Sequence, residues 1–282
     1  MPTKESNDSA PRTVEIDVAK VLRDKMGGKA RFVPRFVVKW LERLIHQEDM
    51  NRFFRAHSEE QGVEWLKSVV EYADMRITVH GIENLPADKA HRLTFASNHP
   101  LGGIDGVALG AVLGEHYEGN IHYLLNDILM NLPGLRPLGT PVNIVGSQSR
   151  RMPRMVDDAF AADHQVILFP AGLCSRKIGG VIQDLPWRKT VVQKSVQHRR
   201  DIVPIHFSGQ NSKRFYRVSA LSNFLHLKVN LAMLFLPDEL YRNMHKPFTI
   251  TIGKPIPWQT FTKDKSFSEW AQWLRAKVYE LK

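Results

Sequence analysis

The stretch Leu93-Thr94-Phe95-Ala96-Ser97-Asn98-His99-Pro100-Leu101-Gly102-Gly103-Ile104-Asp105-Gly106 decides the fold. Residues 93–96 read as a buried strand, and the apolar stretch 104–113 reads as a helix. Between them Asn98 and Pro100 bias the chain out of regular structure, while Gly102 and Gly103 let it turn sharply. Strand, glycine-rich turn and helix together form the repeating unit of an α/β fold. The same turn places His99 and Asp105 close enough in sequence for the carboxylate to fold back onto the imidazole. An imidazole held by a carboxylate is a poised general base, because the carboxylate sets its tautomer and stabilises the imidazolium that forms.

Working outward, strand signals recur at 76–80, 121–125, 141–145, 166–169, 202–207 and 248–252, with helical patterns at 104–116, 154–163 and 190–198. Strands alternating with helices imply crossover connections, hence an α/β fold with a mostly parallel sheet flanked by helices. A last helix is expected over 266–281, opened by a capping box of Ser266 and Glu269 and burying Phe267, Trp270, Leu274, Val278 and Leu281. Ahead of the α/β domain, placed at 76–282, lies an N-terminal helical segment at 14–75, preceded by a polar, disordered tail at 1–13. In the helical segment Phe36, Trp40, Leu41 and Leu44 share one face, with Arg35, Lys39, Glu42 and Arg43 beside or opposite it. Such a helix either packs on a core or lies in a membrane interface.

The chain has 282 residues, 43% of them apolar and 24% charged, which is ordinary globular composition. No uninterrupted apolar run is long enough to span a bilayer, and the polar start is not a secretory signal, so a cytoplasmic location is expected. A single cysteine, Cys174, excludes a disulfide framework and a multi-cysteine zinc site. No metal is predicted, because His57, His80, His91 and His116 lack ligand spacing. A formal net charge of +10 favours partners that carry phosphate: anionic lipid, nucleic acid, or a phosphorylated carrier.

In an open parallel sheet the site lies beyond the carboxyl ends of the strands. Four polar stretches follow strands: the His99 turn, Gly146-Ser147-Gln148-Ser149-Arg150-Arg151, Pro170-Ala171-Gly172-Leu173-Cys174-Ser175-Arg176-Lys177, and Ser208-Gly209-Gln210-Asn211. Arg150, Arg151, Arg154, Arg176 and Lys177 are candidates to meet an anionic group, since guanidinium forks match phosphate and carboxylate. Arg176 leads them, because it follows a buried strand and a glycine turn most closely.

Asn98-His99 with Asp105, then Phe169-Pro170-Ala171-Gly172 with Ser175-Arg176, then Val203-Pro204-Ile205, resembles the lysophospholipid and glycerolipid acyltransferase family. The resemblance spans residues 93–209 in the expected order. Its departures are a box with five residues between histidine and aspartate where four are usual, and Ala171 in the place of a glutamate. A further departure is the absence of an arginine from 138–146. These departures are similar to a bacterial, hemolysin-like subgroup that includes acyltransferases making ornithine or glycine lipids.

The resemblance implies acyl transfer from a thioester of acyl carrier protein or coenzyme A to the hydroxyl of a lyso-lipid, with no tightly bound cofactor. It makes His99 the base and Asp105 its orienter, with Asn98, Gly102, Gly103, Gly172, Ser175, Arg176 and Arg150 around the substrates and donors near Gly172 or Ser175 on the oxyanion. The protein is then expected to be peripheral on the cytoplasmic face of a membrane. Two rivals stand beside this reading. One is a thioester or ester hydrolase using Cys174 with His99; a Gly-x-Ser-x-Gly elbow is lacking. The other is a non-catalytic basic protein that binds membrane or nucleic acid, although no zinc-finger or RNA-binding signature is present and nucleic acid is not an expected partner.

Overall fold

The computed structural model describes residues 15–142, 151–224 and 231–282. The chain separates into two units with the boundary between Glu60 and Gln61. The expected tail at 1–13 lies outside the described residues.

The first unit is helical: α1 (Val18–Met26), a 3-10 turn (Gly27–Phe32), α2 (Arg35–Leu44) and α3 (Gln47–Ala56). Asp17 caps α1 by accepting from the Lys20 N–H. The chain ahead of it is tied to α3, because Asn51 both accepts from the Ile16 N–H and donates to its carbonyl, at 2.7 and 2.8 Å. Phe32, at the end of the 3-10 turn, and Phe36 and Trp40, one turn apart on α2, are exposed.

The second unit begins with α4 (Gly62–Tyr72), which the sequence reading had grouped with the N-terminal helices. The boundary expected after residue 75 falls earlier because α4 packs on α5 (Ile104–His116). Gly114 of α5 permits the approach: a Cβ there would lie 2.5 Å from Val63 Cγ2. The strands follow as β1 (Arg76–His80), β2 (Leu93–Ser97), β3 (Ile121–Asn126), β4 (Gly139–Val142) and β5 (Gln165–Leu168). After them come a small hairpin of β6 (Arg176–Ile178) and β7 (Val181–Gln183), then β8 (Asp201–Phe207) and β9 (Pro247–Ile252).

Seven of them form one sheet in the order β1-β9-β8-β2-β5-β3-β4. Every neighbouring pair is parallel except β8 with β9. The strand expected at 141–145 is β4, which starts earlier; 143–145 lie outside the described residues. Its Pro141 is tolerated because β4 is an edge strand.

The central strands β2 and β5 are wholly buried. Along β2 alternate residues serve opposite faces, as strand geometry requires. Thr94 accepts from Ser195 of α7 (Thr190–Gln197), and Ala96 joins the core of α6 (Met152–Ala161), α7 and α10 (Phe267–Glu280). Phe95, between them, meets the ring of Tyr117 at the end of α5. The capping box of Ser266 and Glu269 opens α10 as expected, and Trp270, Leu274 and Val278 are buried. At the amino ends of the strands Arg200, fully buried, donates to the carbonyls of Phe160, Ala162, His164 and Leu93. Burial pulls its pKa down to about 10. Two further helices, α8 (Lys213–Phe224) and α9 (Leu236–Asn243), lie between β8 and β9.

Candidate active site

Three neighbouring parallel strands, β8, β2 and β5, end on the same side of the sheet, and the residues just past them meet. Asn98 pins the turn after β2 to the end of β8. Its amide donates to the Phe207 carbonyl at 2.9 Å and its oxygen accepts the Phe207 N–H at 2.7 Å, replacing a rung of backbone pairing. His99 stacks on Phe169, the first residue past β5, with ring centroids 4.2 Å apart. Asn211, from the stretch after β8, donates to the carbonyls of Pro100 and Leu101 at 3.3 and 3.4 Å.

The turn brings Asp105, in the first turn of α5, back to His99 as its composition foretold: Nδ1 lies 3.0 Å from Oδ2. That oxygen also accepts the N–H groups of Leu101 and Gly102, and Oδ1 accepts that of Gly106. An ionised carboxylate only accepts, so Nδ1 carries the proton and Nε2 is the basic nitrogen. Burial alone pushes the imidazole pKa down. The Asp105 charge and hydrogen bond, with Asp184 behind them, outweigh burial and Arg176 and hold it above 6.5. Burial likewise raises the Asp105 carboxyl, but His99 and the loop N–H groups leave it below the ordinary carboxylate value. The turn between the two residues passes through Gly102, whose φ is +86°; a Cβ there would lie 2.9 Å from Leu236 Cδ2 and 3.2 Å from Cys174 Cβ. Gly103 is exposed in open space as the N-cap of α5.

Ser175 and Asp184 clamp the peptide of His99 from the other side. The Ser175 N–H donates to the His99 carbonyl at 2.7 Å, and its hydroxyl donates to Asp184 Oδ1 at 2.6 Å. The same Oδ1 accepts the His99 N–H at 3.2 Å, and Oδ2 accepts the Trp187 indole N–H at 2.9 Å. Asp184 is held in turn by α10: its N–H donates to the Tyr279 hydroxyl, and Arg275 donates to its carbonyl and to Gln183. Fully buried, Asp184 has its pKa raised by desolvation, against the donors that surround it.

These contacts correct part of the expected site. Asn98 and Ser175 hold the turn, and the Gly172 N–H donates to Phe169, so neither Ser175 nor the Gly172 amide is available to an oxyanion. Of the candidate cations Arg150 lies outside the described residues. Arg151 and Lys177 are exposed, and Arg154 reaches toward Asp158 on its own helix. Arg176 alone is buried beside the turn. Its Nη1 donates to the Cys174 and Ser175 carbonyls and its plane lies over Phe215 of α8, while Nε and Nη2 have no partner among the described residues. Cys174 is buried and its thiol is pushed up by desolvation, the reverse of what an attacking thiolate needs. Asp184 and Trp187 were missed. Gly179-Gly180 between two short β-prone runs was the signal for the hairpin that leads into them.

A histidine, a buried carboxylate that fixes its tautomer and a buried guanidinium, all at the ends of parallel strands, form an arrangement that can take a proton from a neighbouring hydroxyl. A family model described as Acyltransferase matches residues 20–282, and the chain belongs to this acyltransferase family. Two relatives are each named lyso-glycine lipid O-acyltransferase. That of Phocaeicola vulgatus is 52% identical over 266 residues, 94% of this chain and 95% of its own. That of Bacteroides thetaiotaomicron is 50% identical over 266 residues, 94% of this chain and 97% of its own. The crystal structure of the 1-acyl-sn-glycerophosphate acyltransferase PlsC from Thermotoga maritima is similar over 93% of this chain and 95% of that one. Its TM-score is 0.49 and its identity 15%.

Proposed function

We propose that this acyltransferase moves a fatty acyl group from a thioester of acyl carrier protein or coenzyme A to the free hydroxyl of a lyso-lipid, a lyso-glycine lipid first among them. The observation that carries the reading is the His99–Asp105 pair at 3.0 Å, oriented to leave Nε2 as base. In the reaction Nε2 takes the proton of the acceptor hydroxyl, and the oxygen attacks the thioester carbonyl. The new C–O bond forms, the C–S bond breaks, and the departing thiolate takes the proton back from the imidazolium. Asp105 keeps the imidazole in its tautomer and stabilises the charged intermediate state. No covalent enzyme intermediate is required.

Identity with the relatives supports the acceptor, and so does Arg176. An N-acylated glycine ends in a carboxylate, and the open Nε and Nη2 edge of a buried guanidinium is a two-pronged match for one. A long-chain acceptor resides in a membrane, and no helix among the described residues is long and apolar enough to cross one. On this reading the enzyme works from the membrane surface, on the cytoplasmic side where acyl carrier protein and coenzyme A are found. The exposed Phe32, Phe36 and Trp40, interspersed with Lys29, Arg31, Arg35 and Lys39, suit such a surface.

The test is acyl transfer by purified protein from labelled acyl carrier protein and acyl coenzyme A to a panel of lyso-lipids. Wild type transfers to lyso-glycine lipid, His99→Ala does not, and Cys174→Ala does. Transfer that survives His99→Ala would refute the mechanism, and transfer lost with Cys174→Ala in a folded protein would favour a thiol route.

A further inference from the structure

The outer side of α8 changes character along its length. Lys213, Arg214 and Arg217 occupy its exposed face in the first half; Ala220, Leu221 and Phe224 occupy it in the second. Leu221 is 56% and Phe224 78% exposed. At helical spacing 213, 217, 220 or 221, and 224 form one stripe. Arg214 is drawn to Asp238 of α9 and lies over the Phe235 ring. Lys213 and Arg217 have no acidic partner among the described residues. Single exposed apolar residues are common and need no partner. Here two large ones follow two unpaired cations on the same stripe, and Leu234, just ahead of α9, is exposed as well.

The dimensions fit one occupant. Seven residues at 1.5 Å rise separate Arg217 from Phe224 by about 10 Å along the axis, so with the end of α8 directed into a bilayer Phe224 lies about that far below an Arg217 held at the phosphates. A second copy of the chain fits poorly, because two or three side chains fall far short of the area of a stable dimer and the cationic shoulders would repel each other. The inner face of α8 belongs to the candidate site. Phe215 lies under the Arg176 guanidinium at 5.5 Å, and the Tyr216 hydroxyl accepts the Asn211 N–H at 3.1 Å. One helix thus joins the exposed tip to the groups around the His99 turn.

We infer that the carboxyl-terminal tip of α8 seats this unit on an anionic lipid bilayer, Leu221 and Phe224 entering among the acyl chains while Lys213 and Arg217 lie at the level of the phosphates. The choice of a bilayer rests on the lipid-acceptor reading. Binding is measured without turnover, so the two readings fail separately.

The experiment uses the full chain with Phe224→Cys, Arg217→Cys or Lys213→Cys carrying an environment-sensitive fluorophore; native Cys174 is buried and does not compete. Vesicles of phosphatidylcholine and phosphatidylglycerol with brominated acyl chains are added. The expected result is a blue shift and strong quenching at 224, weak quenching at 217 and least at 213. Leu221→Asp with Phe224→Asp lowers vesicle affinity about ten- to a hundredfold. Lys213→Glu with Arg217→Glu lowers it about tenfold or more on phosphatidylglycerol vesicles and leaves it unchanged on phosphatidylcholine alone. An unquenched label at 224 while the protein sediments with vesicles overturns the proposal. So does a blue shift at 224 that follows protein concentration without lipid, which would mean a second copy, and so does a failure of the chain to bind vesicles at all.

Discussion

Asp184→Asn preserves the shape of a buried carboxylate that touches neither substrate nor the imidazole ring, and it should slow the enzyme. Asp184 Oδ1 receives the Ser175 hydroxyl and the His99 N–H, and Oδ2 receives the Trp187 indole N–H. An amide in its place has one accepting oxygen, so its NH2 must face a donor: the indole in one orientation, the His99 peptide in the other. A hydrogen bond to a buried charge contributes about 1.5–3 kcal/mol. Placed on the position of the base, that converts to a loss in kcat of roughly ten- to a hundredfold. The assay is initial rate of acyl transfer against both substrates, with thermal unfolding alongside. KM should stay near wild type, because the substrates do not meet Asp184. The cost should also shrink in a Trp187→Phe background, where no indole N–H opposes the amide. Wild-type kcat in Asp184→Asn together with a lowered Tm would refute the reasoning, since Asp184 would then hold the fold without positioning His99.

Other expectations follow from the same geometry. His99 must be neutral to accept a proton and its pKa is raised above 6.5, so kcat/KM should fall as pH drops through an acid limb lying above 6.5. Asp105→Asn removes the largest raising influence, leaves burial and Arg176 in place, and should move that limb to lower pH in a pH–rate profile. Gly102→Ala forces a φ of +86° on a residue with a Cβ and presses it against Leu236 and Cys174; about 1–3 kcal/mol of stability should be lost in urea unfolding, with activity falling too. Arg200→Met strands the carbonyls of Phe160, Ala162, His164 and Leu93 and should cost about 3 kcal/mol or more. Because Arg200 sits at the amino ends of the strands, the kcat of the folded fraction should be unchanged.

The sheet was legible because its central strands are short, apolar and separated by helical patterns, and the His99 turn because glycines and a proline interrupt that alternation. Asp105 returning to His99 needed only the local turn, and α10 only its own capping box. What stayed hidden depends on contacts between distant parts of the chain. The resemblance set Asn98 beside the substrates, but its amide pairs with Phe207, more than a hundred residues on. Ser175, expected near the oxyanion, is committed to His99 and Asp184. The β6–β7 hairpin is too short for alternation to register, leaving Gly179-Gly180 as its only mark. α4 read as part of the N-terminal helices because composition does not report which helix it packs on.

The clamp on His99 runs through Asp184 to Tyr279 and Arg275, close to the end of the chain. A ribosome will have released the whole histidine box long before the helix that completes its support. Until α10 is in place, the His99–Asp105 turn therefore lacks the contacts that Tyr279 and Arg275 make to Asp184.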